Sequence, residues 1–418
     1  MKAFLLLLGV ICLTCRTKSI PVHTFSSETE YAILFDAGSS GTRMEIYQFL
    51  ASGPTLKPSD ILELSPSPSK VEPGLSSLAE DPSQVEEYMT PLLESAKKTI
   101  PEDKQASTPI FLLATAGMRL LPEDQADAIL NEVQKLFNDK DKCPFMFQDD
   151  NDARIITGQT EGIYSWVTVN FLAGAYRLKG FTYGSLDLGG ASHQNTWIFN
   201  SNHSDVMVIA IAGRNFSIFA RSYLGFGQDQ ARERYLRVIA QKENCDENSE
   251  CVVKSPCHNK GFKEPLTFDD QERVFEGTAR VNLCRRIISK IFFCHSPDLE
   301  ECPFSDQPKL EGKFYAFSAF YYVLTGIKAV CSDCENNQVS PAKIRLYSKL
   351  FCKTDYNELK EDPYAKNDCF GANYIYELLT EGYGLRPYRK ITVANSLNGF
   401  DLGWTLGAVL HNTGILNA

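Results

Sequence analysis

The residues of this chain best suited to chemistry stand in two short stretches built to one pattern. The first reads Tyr31-Ala-Ile-Leu-Phe-Asp36-Ala-Gly38-Ser39-Ser40-Gly41-Thr42-Arg43, and the second Gly184-Ser-Leu-Asp187-Leu-Gly189-Gly190-Ala191-Ser192-His193-Gln194. In each, an Asp closes an apolar strand, a Gly follows two residues later and small residues fill the turn. Glycine lets the backbone approach a ligand and aim several N–H groups at one point, which makes an anion nest. The hydroxyls of Ser39, Ser40, Thr42 and Ser192 add donors, and Arg43 adds charge. Bare carboxylates would repel a phosphate, so Asp36 and Asp187 make sense facing a divalent cation that bridges them to it. Either stretch alone reads equally as an ordinary tight hairpin, where Gly, Ser and Asp are common. The repetition favours two loops facing each other across a cleft. No GxxxxGK[ST] loop and no G-x-S-x-G elbow occurs.

The elements that must carry these loops are strands running into and out of each turn. Helical stretches at Val85 to Lys97 and Pro122 to Phe137 interleave with the strands, which argues for an α/β chain, and two like loops argue for two like lobes. Between the loops stands Ile156-Thr-Gly158-Gln-Thr-Glu161-Gly162-Ile-Tyr-Ser-Trp166-Val-Thr-Val-Asn170. Read as a helix, it groups Ile156, Ile163, Trp166 and Val167 opposite Glu161, leaving that carboxylate free to face a cleft or, equally, plain solvent.

Composition frames the rest. The 418 residues, 43% hydrophobic and 22% charged, suffice for two domains with real cores. A net charge of −10 without clustered cations excludes nucleic acid as a partner class. Residues 1–19, with Lys2 before an apolar run from Ala3 to Leu13, read as a signal peptide. An uncleaved anchor is the alternative, because no small-x-small cleavage site stands clean. No later stretch is apolar for long enough to anchor the chain in a membrane. Of 13 cysteines, ten crowd between Cys245 and Cys369, which in an exported chain reads as disulfides; a metal site at Cys331-Ser-Asp-Cys334 is the alternative. Asn202-His-Ser and Asn215-Phe-Ser are glycosylation sequons.

Three further segments, Leu113-Ala-Thr115-Ala116-Gly117-Met-Arg119, the Glu161 segment and Asp401-Leu-Gly403-Trp404-Thr-Leu-Gly407, stand in fixed order with the two loops. Together these five blocks resemble the signature regions of the ecto-nucleoside triphosphate diphosphohydrolase (apyrase) family, and most of all its cell-surface members. The resemblance implies a two-lobed actin/hexokinase-like (RNase H-like) α/β fold with its active site in the interlobe cleft. Lobe I would take residues 28–157 plus 391–418, and a disulfide-rich lobe II residues 158–390.

By the same resemblance Glu161 is the general base, and Ser192 and Gln194 hold the attacking water. Asp36 and Asp187 hold Ca2+ or Mg2+, largely through its water shell. Gly38, Ser39, Ser40, Gly41, Thr42, Arg43, Thr115, Ala116, Gly189, Gly190 and Ala191 bind phosphate. Tyr322 and Tyr364 match the rings that sandwich the nucleobase, although Tyr322 also reads as one of several core aromatics. The family pairs Cys331 with Cys334 and Cys352 with Cys369, while Cys143 has no first-lobe partner. His193 takes no role. The implied activity is a secreted, extracellular, metal-dependent apyrase acting on nucleoside tri- and diphosphates of the ATP, ADP, UTP and UDP class, with the oligomeric state open. The alternatives are a nucleoside diphosphatase of the secretory pathway and a non-catalytic nucleotide-binding protein.

Overall fold

Apolar residues on both sides of each repeated turn fold as an antiparallel hairpin. The computed structural model describes residues 29–50, 56–177, 181–211, 213–243, 251–268, 271–293, 303–331 and 337–417. In it β1 (Glu30–Ala37) pairs with β2 (Thr42–Phe49), setting Asp36 opposite Arg43. With β3 (Ile61–Leu64), β4 (Lys70–Val71), β5 (Ile110–Ala114) and β6 (Ala153–Ile155) they form one sheet, ordered β3-β2-β1-β5-β6 with β4 on β2. The β5 sequence Ile-Phe-Leu-Leu-Ala is buried along its whole length, as a parallel strand covered on both faces must be. One face is covered by helices Val85–Thr99 and Glu123–Asn138, whose apolar stripes, Met89, Leu92 and Leu93 on one and Ile129, Val133 and Phe137 on the other, close a core over Phe35 and Leu112.

The second loop heads a second sheet. Its strands are β7 (Tyr183–Leu188), β8 (Ser192–Ile198), β9 (Val206–Ile211) and β10 (Arg214–Leu224). A separate small sheet of β11 (Val252–Ser255), β12 (Lys263–Phe268) and β13 (Gln271–Gly277) follows. Then β14 (Lys313–Ser318), β15 (Gln338–Val339) and β16 (Ile391–Val393) complete the order β15-β16-β14-β7-β8-β10-β9. The local plan repeats: β1 lies between antiparallel β2 and parallel β5, and β7 between antiparallel β8 and parallel β14.

The helix Gly158–Leu172 packs on β7, β8 and β10 and also against the C-terminal helix Thr405–Asn412, which in turn reaches β1. It is therefore buried from Glu161 to Leu172, with no face left to solvent. A single apolar stripe described it incompletely, and a merely solvated Glu161 is excluded. Glycine at 407 permits the close crossing, since a Cβ there would sit 2.1 Å from the Tyr164 carbonyl oxygen. Of the segment 391–418 expected in lobe I, Ile391–Val393 is a strand of the second sheet, paired with β14, and the Thr405–Asn412 helix packs on the Gly158–Leu172 helix and reaches β1.

Among the described residues the disulfides Cys257–Cys284 and Cys352–Cys369 staple the second lobe; the latter is one of the two pairs the resemblance implied. Cys331 is also disulfide-bonded. Its expected partner Cys334, like the leader 1–19, lies outside the described residues. Cys143 is buried and free. Among the described residues no helix is long and apolar enough to cross a membrane.

Candidate active site

The two loops are closed by the same hydrogen bond. Gly38 N–H donates to the Gly41 carbonyl at 3.0 Å, and Gly189 N–H to the Ser192 carbonyl at 3.0 Å, each beginning two residues after the strand-end Asp. They also meet. A Cβ on Gly190 would lie 3.2 Å from the Ser39 hydroxyl, and one on Gly117 would lie 2.8 Å from the Ser39 Cα. Glycine at 117 and 190 thus lets the Thr115-Ala116 segment and both loops converge. The second loop is backed by the Gln228–Ala240 helix, whose first amides donate to the Gly189 and Gly190 carbonyls at 2.8 and 2.9 Å.

Three carboxylates gather where the loops meet. Asp36 Oδ1 is enclosed and has no hydrogen-bond partner. Burial raises the Asp36 carboxyl well above the ordinary range, with Glu161, Glu45 and Asp187 adding and Arg43 opposing. Asp187 is raised to about 6 by burial, against hydrogen bonds from Ser318 and Ser165. An orphaned oxygen and a second buried carboxylate are what a divalent cation, or water bound to one, would satisfy. Among the described residues no cluster of three or more His, Cys, Asp or Glu could cage a metal.

Glu161, 7% exposed, sits in the first turn of a helix capped by Thr157, whose hydroxyl accepts from Thr160 N–H at 3.1 Å. Arg119 holds it: one guanidinium nitrogen donates to Glu161 Oε2 at 2.8 Å and to Ser192 Oγ at 3.2 Å, and the other to the Ile156 carbonyl at 3.0 Å. Burial outweighs that pairing, and with Asp187 nearby the Glu161 carboxyl rises to about 7, suited to taking a proton near neutrality. Gln194, on β8 beside Ser192, donates to the Ser192 hydroxyl at 2.9 Å.

Strand alternation explains His193. Ser192 and Gln194 face the cleft, while His193 turns into the second-lobe core, where its Nδ1 meets the Tyr383 hydroxyl at 2.8 Å and its ring stacks on Tyr223. Burial pushes it down to about 3, so it is neutral and structural.

One expected phosphate ligand has its side chain turned inward. Thr42 is fully buried beneath the first loop, where its hydroxyl accepts from Tyr88 at 3.0 Å. Ser39, Ser40 and Arg43 are exposed in the same loop.

Tyr322 and Tyr364 are not core rings. They are 61% and 74% exposed. The Tyr322 hydroxyl, raised in pKa first by burial, also feels the charges of Arg43 in the first loop and of Tyr364. Asn202 and Asn215 are both exposed.

Arg119, Ser165, Ser222 and Ser318 serve the site without having been singled out. Arg119 ends the Thr115 segment, so its position within an ordered block was the available signal. Ser318 closes β14 beside Asp187, much as Thr115 follows β5 beside the first loop, but only the sheet pairing reveals that likeness.

Residues 22–418 match the profile of the GDA1/CD39 (nucleoside phosphatase) family. Ectonucleoside triphosphate diphosphohydrolase 1 of Mus musculus is 32% identical over 440 residues, covering 93% of this chain and 82% of that protein. Among solved structures, a nucleoside triphosphate hydrolase from Neospora caninum superposes with a TM-score of 0.67 at 14% identity, covering 92% of each chain. The Ppx/GppA family member from Aquifex aeolicus superposes with a TM-score of 0.54 at 14% identity, covering 94% of this chain and 100% of that one. At such identities the structural likenesses bear on fold alone, and they agree with a two-lobed actin/hexokinase-like architecture.

Proposed function

The chain belongs to the GDA1/CD39 (nucleoside phosphatase) family and is an enzyme of the apyrase class, and on that premise we propose that it is an exported, divalent-cation-dependent hydrolase. It removes terminal phosphates from nucleoside tri- and diphosphates by direct attack of water. One observation carries the mechanism: Glu161 stands where two like anion loops meet, tied by Arg119 to the Ser192 hydroxyl.

Phosphoryl transfer asks an enzyme mainly for positioning and charge stabilisation. The backbone nests at Gly38 to Gly41 and Gly189 to Ser192 orient the phosphate chain, with Ser39 and Arg43 at its exposed flank. A cation bound between Asp36 and Asp187 would neutralise phosphate charge and polarise the scissile bond. Water held by Ser192 and Gln194 gives a proton to Glu161 as its oxygen closes on phosphorus, and Arg119 steadies the carboxylate in that position. Tyr322 and Tyr364 offer aromatic faces to the base, and stacking of that kind tolerates every base.

Export is supported by the leader pattern of residues 1–19 and the cysteine-rich second lobe, and the exposure of Asn202 and Asn215 is compatible with glycans. Released phosphate, assayed separately from ATP, ADP and UDP with calcium present, tests the substrate range. All three should yield phosphate. Release from diphosphates alone would make the protein a diphosphatase, and release from none would leave a binding protein.

A further inference from the structure

The Gln194 side chain has one amide with two N–H groups, and both are engaged. Its Nε2 donates to the Ser192 hydroxyl at 2.9 Å and to the Ser222 hydroxyl at 3.0 Å. Ser222 lies on β10 directly opposite Gln194 on β8, and directly opposed residues project to the same face of a sheet. That face meets the helix carrying Glu161. A Cβ on Gly158, the first residue of this helix, would fall 2.2 Å from both Cβ and Oγ of Ser222. Glycine there lets the helix start against Ser222, which touches the base-bearing helix on one side and the amide on the other.

An amide with both N–H groups held can offer the cleft only its oxygen. The orientation matters for a water molecule about to attack phosphorus. One of its protons goes to Glu161, and the second needs an acceptor if a lone pair is to face the phosphate. An N–H in that place would instead attract a lone pair.

We propose that Ser222 is a positioning residue for hydrolysis: it fixes the Gln194 amide with Oε1 toward the attacking water, so that Gln194 accepts a hydrogen bond from the nucleophile. Ser222 itself makes and breaks no covalent bond. With Ser222 removed, the Ser192 hydroxyl alone holds the amide, which is then free to turn over. The inference rests on Glu161 being the base of a hydrolase.

A double-mutant cycle of Ser222→Ala and Gln194→Ala, read by single-turnover release of the terminal phosphate of ATP and normalised to bound nucleotide, tests it. S222A should lower the single-turnover rate constant by about ten-fold, as expected for one lost hydrogen bond, and steady-state KM should stay within about two-fold. In the Q194A background the same substitution should cost less than about two-fold, because the residue it acts through is gone. Normalising to bound nucleotide keeps the coupling readable if either variant is less stable. Losses that multiply would mean that Ser222 acts through the fold, and they would overturn the proposal, as would an unaltered S222A rate. An inactive wild type would remove the hydrolase reading itself, whereas an active wild type indifferent to Ser222 removes this inference alone.

Discussion

Phosphate release by a Glu161→Gln protein is expected to fall by about three orders of magnitude, while nucleotide affinity stays within about two-fold, since a general base contributes roughly 10²–10⁴ to such a reaction. The amide keeps the shape of the side chain and can still accept from Arg119, but it cannot take the water's proton. The fold should not suffer. A carboxyl raised from 4.5 to about 7 in the folded state costs stability as pH rises through 4.5, and the full cost applies above about 7. Removing that titration at pH 8 should therefore leave the melting temperature unchanged or higher. The native enzyme, conversely, should lose kcat/KM as pH falls through the Glu161 value, which a bound cation would place at or below about 7. Near-native turnover in the variant, measured beside intact nucleotide binding, would take the base role from Glu161.

Chelation is expected to abolish activity to the detection limit, with calcium or magnesium restoring it. Asp36 and Asp187 are the reason. Both are raised by desolvation, neither has a basic side chain bonded to it, and the enclosed Asp36 Oδ1 has no partner. Placed beside a polyphosphate with no cation between, they would add repulsion to a site whose task is to hold negative charge. Asp36→Asn and Asp187→Asn should each raise the concentration of cation needed for half activity by roughly ten- to a hundred-fold, and saturating cation should restore part of the lost rate. Undiminished hydrolysis in chelator would show that the two carboxylates serve another purpose.

Much of this site was legible in the chain because its parts are local. A strand-end Asp, a Gly two residues later and a small-residue turn need only a few consecutive residues, and the hairpins at Asp36 and Asp187 formed with the expected strands. What escaped notice depends on distant pairing. Ser222 matters because β10 lies beside β8, and Ser318 because β14 lies beside β7. The burial of the Thr42 hydroxyl has the same origin: it follows the turn in sequence, but β2 directs it inward to Tyr88. Glu161 could be read as a solvated residue while its helix was considered alone. Two neighbours, the second sheet and the Thr405–Asn412 helix, enclose it, and neither is close in sequence.

Stereochemistry at phosphorus tests the central claim most directly. Serines 39, 40 and 192 and the two aspartates could in principle accept a phosphoryl group, giving a covalent intermediate and two displacements. The Ser192 hydroxyl is instead held by Arg119 and Gln194 beside Glu161, an arrangement for orienting water. A nucleoside triphosphate whose terminal phosphorothioate is made chiral with oxygen-17, hydrolysed in oxygen-18 water, should give inverted thiophosphate carrying one oxygen-18 from the water, with no oxygen-18 in the nucleotide product. Retained configuration, accompanied by a phosphorylated protein on acid quench, would contradict direct attack by water.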